Sequence, residues 1–117
     1  MKILFAGTPN IAVTVLGGLM NLGHEVVGVL TREDAPTGRK RELTVSPVAE
    51  YAQRHGLKVI KSNRLSAQDH VEISRLGADL AIVVAYGTIL KTEALELLKE
   101  GWFNLHFSLL PEYRGAA

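Results

Sequence analysis

The chain has 117 residues, enough for one domain with its own core, and 47% of them are hydrophobic and 21% charged. The net charge of +1 argues neither for nor against nucleic-acid binding, so any such inference must rest on local clusters of charge. The absence of cysteine excludes disulfides, thiolate metal sites and cysteine nucleophiles, and it agrees with a reducing compartment.

Neither a signal peptide nor a membrane span is expected. The apolar start ILFAG is broken at once by Thr8 and Pro9, which makes it too short for the core of a signal peptide. The longest apolar run, LAIVVAY, is far shorter than the roughly 18 residues that a span requires. We therefore expect a soluble, cytoplasmic protein with no membrane partner.

The first part of the chain is predicted to fold as strand, helix and strand. Lys2 to Ala6 is apolar without alternation, which is typical of a strand covered on both faces. The turn GTPN follows, and apolar residues at helical spacing predict a helix from Asn10 to Asn21. Gly23 stands where a left-handed residue closes a helix, and EVVGVL is the second buried strand.

A polar loop opens the middle part of the chain, from Thr31 to Thr44. Ser46 is placed to cap a helix that ends near His55, with a proline in its first position. LKVI is predicted as a third strand. Ser66 can cap a further helix that ends at Leu76, with an acidic residue in its first turn.

The last part contains the strand DLAIVVA, the loop YGTIL, a helix from Thr92 to Lys99 and the strand WFNLH. Strands that alternate with helices imply right-handed crossovers and an α/β fold, here a Rossmann-like parallel sheet with helices on both faces. Ligands of such sheets bind outside the carboxyl ends of the strands. Four stretches are expected to converge there: GTPN, the loop after the second strand, YGTIL and HFSLLP.

The first turn does not carry a dinucleotide-binding fingerprint. AGTPN has a single glycine, Gly7, before Pro9, and the later glycines of G-x-G-x-x-G are missing. The helix N-terminus could still hold an anion. A plain tight turn is the favoured interpretation over nicotinamide or flavin binding.

The loop after the second strand contains three adjacent cations, Arg39, Lys40 and Arg41. One interpretation is a solvated run of charge. The other is contact with phosphates, to which Arg and Lys contribute affinity without base specificity. A solvated run is the commoner case, but the position beside the expected ligand edge makes contact with phosphates about equally favoured.

Asn104 and His106 are the candidate catalytic residues. On an extended strand, side chains two residues apart point to the same face, so both could reach one reacting group while Leu105 faces the core. An Asn amide can donate to a developing oxyanion, and a His can exchange a proton with a nucleophile. The pair suits acyl or one-carbon transfer, and the alternative is a pair satisfied by backbone groups. No second His or carboxylate lies at ligand spacing to His106, so no metal site is expected.

The string FNLHFSLLPEYRGAA closely resembles the N-x-H…S-L-L-P-x-[WY]-R-G-A-A signature of the folate-dependent formyltransferases. KILFAGTPNIAV, GHEVVGVLTREDAPTGRKRELTVSPV and VVAYGTIL resemble the methionyl-tRNA formyltransferases in particular. The resemblance runs from Lys2 to Ala117. Sugar-amine formyltransferases share the N-x-H and S-L-L-P core and stay open as an alternative, as does a non-catalytic Rossmann-like module that binds folate or a nucleotide.

The resemblance implies the reaction and the roles of the residues. The α-amine of initiator methionyl-tRNA would attack the formyl carbon of 10-formyltetrahydrofolate, the formyl-donor co-substrate, in translation initiation. Asn104 would donate to the formyl oxygen, and His106 would handle protons. The basic loop would hold the tRNA acceptor end. The folate pocket would be lined by residues of the S-L-L-P segment and by backbone groups of the YGTIL loop: Ser108, Leu109, Leu110, Pro111, Tyr86, Gly87 and Ile89.

The sequence also departs from the family pattern. Family members carry an Asp downstream of S-L-L-P that partners the His, and then a C-terminal β-barrel domain that helps to bind tRNA; this sequence has neither. Residues 1–117 are therefore expected to be the N-terminal part of the catalytic domain, a truncated formyltransferase fold with little or no transfer activity by itself. The full-length enzyme is expected to be a monomer, and the fragment is expected to self-associate through an exposed sheet edge.

Overall fold

The computed structural model describes residues 1–106 of the chain. In this range the strands are β1 (Lys2–Gly7), β2 (Glu25–Thr31), β3 (Ala35–Thr37), β4 (Glu42–Thr44), β5 (Val59–Lys61), β6 (Leu80–Val84) and β7 (Trp102–Asn104). The helices are α1 (Asn10–Asn21), α2 (Pro47–Arg54), α3 (Ala67–Leu76) and α4 (Thr92–Leu95). The alternation of strands and helices predicted from the sequence is confirmed.

The main sheet is parallel and doubly wound. Its strand order is β5–β2–β1–β6–β7, and β3 pairs with β4 in a separate antiparallel hairpin. The chain moves outward from β1 to β2 and β5, and then returns to place β6 on the other side of β1. This reversal opens a crevice at the carboxyl ends of β1 and β6, which is where ligands of such sheets bind.

Helices cover both faces of the sheet. Phe5 and Leu4 are neighbours in β1 and both are fully buried, but they belong to different core clusters. Phe5 packs in the cluster that contains Leu16 of α1, and Leu4 packs in the cluster that contains Ile73 of α3. Burial on both sides explains why β1 is apolar throughout instead of alternating.

Gly7 lets α1 approach the sheet closely at this reversal. A Cβ atom at Gly7 would lie 2.7 Å from the carbonyl oxygen of Val84 and 2.8 Å from the Cβ of Ala12. Neither neighbour can move without displacing β6 or α1. Gly7 is therefore explained by packing alone. No dinucleotide-binding role is needed to account for it, in agreement with the missing later glycines.

The predicted helix caps are confirmed. The Ser46 hydroxyl accepts a hydrogen bond from the N–H of Ala49 at 2.9 Å, and Pro47 is the first residue of α2. Ser66 and Asp69 form a reciprocal capping box at the start of α3. Gly23 follows α1 with a φ of 87°, in the left-handed region.

The polar loop after β2 contains more secondary structure than its sequence indicates. It contains the hairpin of β3 and β4, and the hydroxyls of Thr37 and Thr44 lie 2.6 Å apart across it. Both ends of this excursion are tied together, because the buried hydroxyls of Thr31 and Ser46 are also 2.6 Å apart. The interpretation of Thr31 to Thr44 as a plain loop was therefore incomplete.

Helix α4 is shorter than predicted, ending at Leu95 instead of Lys99. The carbonyl of Ala94 accepts hydrogen bonds from the indole Nε1 of Trp102 at 3.0 Å and from the N–H of Leu97 at 3.1 Å. The bond from Leu97 spans three residues, which tightens the chain into turns. The indole of Trp102 in β7 thus donates to the carbonyl that would accept from the N–H of Leu98 in a longer helix.

Candidate functional site

A cavity of about 460 Å³ lies at the carboxyl ends of β6 and β7, beside the first turn of α1. Three segments line it: Ile11, the stretch 83–89, and the stretch 104–106. The cavity thus brings together the loop after β6 and the Asn-x-His motif, as predicted from the parallel sheet. The site lies next to the reversal of strand order, which falls between the neighbouring strands β1 and β6.

Asn104 and His106 both line this cavity, and both are exposed. Asn104 is the last residue of β7 and lies opposite Val83 of β6. The N–H of Leu105 donates to the carbonyl oxygen of Val83 at 2.8 Å, which fixes the backbone between the two polar residues. Within residues 1–106, neither the amide of Asn104 nor the imidazole of His106 has a hydrogen-bond partner for its side chain, so both could face one bound group.

The prediction that Leu105 faces the core was wrong. Leu105 is 43% exposed and lines the cavity with its two neighbours. The strict alternation of side chains holds only within a strand, and β7 ends at Asn104. The segment after Asn104 therefore no longer follows the two-residue repeat on which the prediction depended.

The loop after β6 presents backbone groups to the cavity. Ala85 and Gly87 have φ values of 52° and 87°, so the chain turns through the left-handed region on both sides of Tyr86. Within residues 1–106, the N–H groups of Gly87, Thr88 and Ile89 donate to no backbone or side-chain acceptor. Backbone donors beside the exposed apolar side chain of Ile89 suit a flat heteroaromatic ring with acceptor atoms.

Tyr86 contributes to the site through its backbone, because its side chain is only 4% exposed and packs in the core. Its hydroxyl donates to the carbonyl oxygen of Ser62 at 2.6 Å. Burial raises the pKa of the Tyr86 phenol; the neighbouring Thr88 hydroxyl opposes this, and the carboxylates of Asp69 and Glu33 add to it. The phenol is therefore a neutral anchor for the loop.

Two further hydrogen bonds hold the loop after β6, and the sequence interpretation had not singled out their partners as site residues. The Thr8 hydroxyl donates to the carbonyl oxygen of Tyr86 at 3.3 Å, which ties the turn after β1 to this loop. The Thr88 hydroxyl donates to the carbonyl oxygen of Asn63 at 3.2 Å. These partners are 78 and 25 residues apart in sequence, so no local pattern indicates them.

The basic residues Arg39, Lys40 and Arg41 lie in the turn between β3 and β4, and all three are exposed. Gly38 and Arg41, at the two ends of this turn, have left-handed φ values of 73° and 55°, and the N–H of Arg41 donates to the carbonyl oxygen of Gly38 at 3.3 Å. The base of the hairpin is fixed by Arg32, whose guanidinium donates to the carbonyl oxygen of Thr44 at 3.1 Å. The basic turn follows the carboxyl end of β2 as expected, but its residues do not line the cavity.

The predicted S-L-L-P part of the folate pocket cannot be located in the structure. Ser108, Leu109, Leu110 and Pro111 lie outside the described residues. Among residues 1–106, no three His, Asp or Glu side chains are grouped so that they could hold a metal ion. No helix in that same range has the length and apolar character to cross a membrane.

The strand order and the cavity at its reversal define a doubly wound α/β protein whose ligand site is formed by the loops after β6 and β7. The family described as "Formyl transferase" matches residues 1–117. The chain belongs to this family.

Individual relatives agree with this assignment. The chain is 51% identical to a methionyl-tRNA formyltransferase of Renibacterium salmoninarum and 52% identical to one of Paenarthrobacter aurescens, in each case over the whole chain and 38% of the relative. It is 53% identical to one of Bifidobacterium adolescentis, covering 37% of that protein. The chain thus spans less than two-fifths of the length of these relatives.

A solved structure supports the fold. The formyltetrahydrofolate deformylase of Burkholderia mallei superposes with a TM-score of 0.61 over 98% of this chain and 40% of its own. The two sequences are 22% identical in that comparison, so the likeness bears on architecture alone. It confirms the Rossmann-like α/β fold predicted from the sequence.

Proposed function

We propose that this chain is the N-terminal part of the catalytic domain of a methionyl-tRNA formyltransferase. The whole enzyme transfers the formyl group of 10-formyltetrahydrofolate to the α-amine of initiator methionyl-tRNA, in the cytoplasm. The observation that carries the proposal is that Asn104, His106 and the backbone of the loop after β6 line one cavity. Identity of about half to methionyl-tRNA formyltransferases along the whole chain supports the substrate.

In the proposed reaction the two polar side chains have separate roles. As the amine attacks the formyl carbon, the formyl oxygen gains negative charge, and the Asn104 amide donates a hydrogen bond to it. His106 accepts the proton that the attacking amine loses. The bond between the formyl carbon and N10 then breaks, and N10 receives the proton that His106 had accepted. Tetrahydrofolate leaves, and the formyl group stays on the amine.

The loop after β6 would hold the folate. The N–H groups of Gly87, Thr88 and Ile89 can donate to acceptor atoms of the pterin, and the side chain of Ile89, 89% exposed, offers an apolar surface to its ring. Tyr86 holds this loop from the core side. Ser108, Leu109, Leu110 and Pro111 would complete the pocket.

The basic turn would bind the acceptor end of the tRNA. Its three cations project from a hairpin at the same edge of the sheet as the cavity, and their exposure leaves them free to meet phosphates. Their separation from the cavity fits a substrate that is much larger than the folate. A sugar-amine substrate would have no comparable use for this turn.

Catalysis by the chain alone would be weak. Within residues 1–106, no carboxylate is hydrogen-bonded to the ring of His106, so nothing there fixes its tautomer. We propose that the remainder of the catalytic domain supplies such a carboxylate and that a C-terminal domain adds affinity for tRNA. The chain alone is then a folate-binding module with little or no transfer activity.

The decisive experiment uses the enzyme extended to the length of its relatives. Asn104→Ala and His106→Ala should each lower kcat for methionyl-tRNA about 100-fold or more, while Asn21→Ala, at the far end of α1, should leave it unchanged. Near wild-type rates in both site variants would refute the assignment of the site. Transfer to a sugar amine in preference to the tRNA would refute the assigned substrate.

We also propose that the full-length enzyme is monomeric and that the chain alone self-associates. Within the described residues, β7 is an edge strand, and its Phe103 is 53% exposed. An edge with an exposed aromatic residue is prone to pair with another strand. Sedimentation should show a mass that increases with concentration for the chain and a constant monomer mass for the full-length enzyme.

A further inference from the structure

Residues Ser62 and Asn63, directly after β5, contact two segments that belong to different parts of the site. On one side, the N–H of Glu33 donates to Oδ1 of Asn63 at 2.9 Å, and the N–H of Asn63 donates to Oε2 of Glu33 at 3.4 Å. On the other side, their carbonyl oxygens accept from the hydroxyls of Tyr86 and Thr88, at 2.6 and 3.2 Å. We call residues 62–63 the bridge.

The bridge connects places that the sheet itself keeps apart. β5 and β6 are three positions apart in the order β5–β2–β1–β6, so they share no ladder. The loop after β6 nevertheless reaches the end of β5, passing the carboxyl ends of the two strands between them. Glu33 lies between β2 and the basic hairpin, whereas Tyr86 and Thr88 line the cavity. The bridge is thus hydrogen-bonded both to the hairpin base and to the cavity wall.

One residue, Asn63, makes contacts on both sides. Its side-chain Oδ1 accepts from the N–H of Glu33 at the hairpin base, and its backbone carbonyl oxygen accepts from the hydroxyl of Thr88. The bridge is itself attached to the core, because the N–H of Ser62 donates to the carbonyl oxygen of Thr31 at 2.9 Å. A shift of Glu33 therefore has a continuous hydrogen-bonded route to the backbone donors of the cavity.

We propose that Asn63 is a positioning residue that couples the basic hairpin to the cavity, so that a ligand bound at either place strengthens binding at the other. The identity of the two ligands, an RNA acceptor end and a formyl-folate, rests on the proposed function. The physical basis is conformational entropy. A ligand that orders the segment on one side of the bridge also restricts the segment on the other side, so that a second ligand binding there loses less conformational entropy. The effect is necessarily reciprocal.

The first test needs no ligand. Amide hydrogen exchange of this chain is compared with that of Thr88→Val, which removes the hydroxyl on the cavity side of the bridge. The amide of Glu33, on the hairpin side, should exchange about threefold faster or more. Thr14→Val removes an exposed hydroxyl that donates to the carbonyl of Asn10 within α1, and it should leave Glu33 unchanged. An unchanged Glu33 amide in Thr88→Val would overturn the coupling.

A matched pair of substitutions at Asn63 separates its acceptor from general packing. Asn63→Ala removes the acceptor for the Glu33 N–H and should speed exchange at the amides of Glu33 and residues 86–88. Asn63→Asp keeps an oxygen at that place and should restore protection at moderate salt, where its added charge beside Glu33 is screened. Equal exchange in both variants would show that the side-chain acceptor is not what positions these segments.

The second test measures the coupling in the extended enzyme. The Kd of an RNA hairpin with the acceptor-stem sequence and a CCA end is measured with and without saturating 5-formyltetrahydrofolate, a donor analogue that cannot transfer its formyl group from N10. The wild-type Kd should fall about fivefold with the analogue, and in Asn63→Ala the ratio should approach one. Binding of both ligands with a wild-type ratio of one would overturn the coupling. Failure to bind either ligand would instead overturn the proposed function, and hydrogen exchange would still decide whether the bridge connects the two segments.

Discussion

Gly7 and Val84 meet so closely that a single methyl group at Gly7 would lie 2.7 Å from the Val84 carbonyl oxygen. Gly7 ends β1 and pairs with Val84 of β6, and a Cβ at Gly7 would also lie 2.8 Å from the Cβ of Ala12 in α1. The missing side chain therefore lets α1 pack closely against β1 and β6 where the strand order reverses. Two of these elements line the cavity, through Ile11 of α1 and residues 83 and 84 of β6.

Gly7→Ala should therefore destabilise the protein by about 2 kcal/mol or more, because neither backbone can yield without disturbing the core. Gly18→Ala is the matched control: a Cβ there meets nothing within 4 Å, and Gly18 lies inside α1. It should stabilise the protein by about 0.5–1 kcal/mol. Urea unfolding of both variants is the measurement, and a neutral Gly7→Ala would refute the packing argument.

Ser46→Ala should destabilise the protein by about 2 kcal/mol. The change removes the cap of α2 and also leaves the buried hydroxyl of Thr31 without its partner at 2.6 Å. Thr31→Val keeps the cap and should cost less, about 1 kcal/mol. A larger loss for Thr31→Val than for Ser46→Ala in chemical denaturation would contradict this order.

The capping box of α3 should make stability depend on pH in the acid range. Burial opposes ionisation of Asp69, but hydrogen bonds from the Ser66 N–H and from the hydroxyls of Ser62 and Ser66, with a further contribution from His70, outweigh it and lower the pKa of Asp69. A lowered pKa in the folded state means that the stabilisation is complete above the unfolded value of about 3.9 and is lost as the pH falls through the folded value.

Asp69→Asn should accordingly be less stable than the wild type by about 0.5–1 kcal/mol at pH 7. The two unfolding free energies should converge as the pH is lowered below about 4. Thermal or urea unfolding between neutral and acidic pH measures this difference. A gap that stays constant across that range would show that the ionised form of Asp69 is not what stabilises the start of α3.

Salt dependence tests the role of the basic turn. Replacing Arg39, Lys40 or Arg41 by Ala in the extended enzyme should lower the slope of log K against log salt for acceptor-stem RNA by about one for each cation that contacts a phosphate. Arg75→Ala removes a cation from the last turn of α3, at the opposite edge of the sheet, and should leave the slope unchanged. Equal slopes in all variants would exclude the turn from the RNA interface.

The sequence was most informative where one local force decides the outcome. Burial on both faces makes β1 continuously apolar, and the caps at Ser46 and Ser66 satisfy the first N–H groups of their helices. These features lie within a few residues of one another and leave a pattern. The convergence of Asn104 and His106 on the loop after β6 also followed, because parallel strands bring their carboxyl ends to one edge.

The features that the sequence did not predict depend on contacts between residues that are far apart along the chain. At the end of α4 the indole of Trp102 donates to the carbonyl of Ala94, and the hairpin of β3 and β4 is held by Arg32 and by the hydroxyls of Thr37 and Thr44. The bridge at Asn63 joins residues 25 and 30 positions away. Such contacts arise from tertiary geometry, and single polar side chains in loops carry no periodic signal of them.

The buried hydrogen bond between the hydroxyls of Thr31 and Ser46 affects how the β3–β4 hairpin could vary within the family. Because the chain leaves and re-enters the fold at one closed, buried point, the hairpin between them is an appendage whose length and charge can change without altering β2 or α2. The turn proposed to contact RNA could thus vary while Glu33, which lies before the β3–β4 hairpin, keeps its hydrogen bonds to Asn63. A hairpin taken from another member of the family could be grafted at this junction as an exchangeable module.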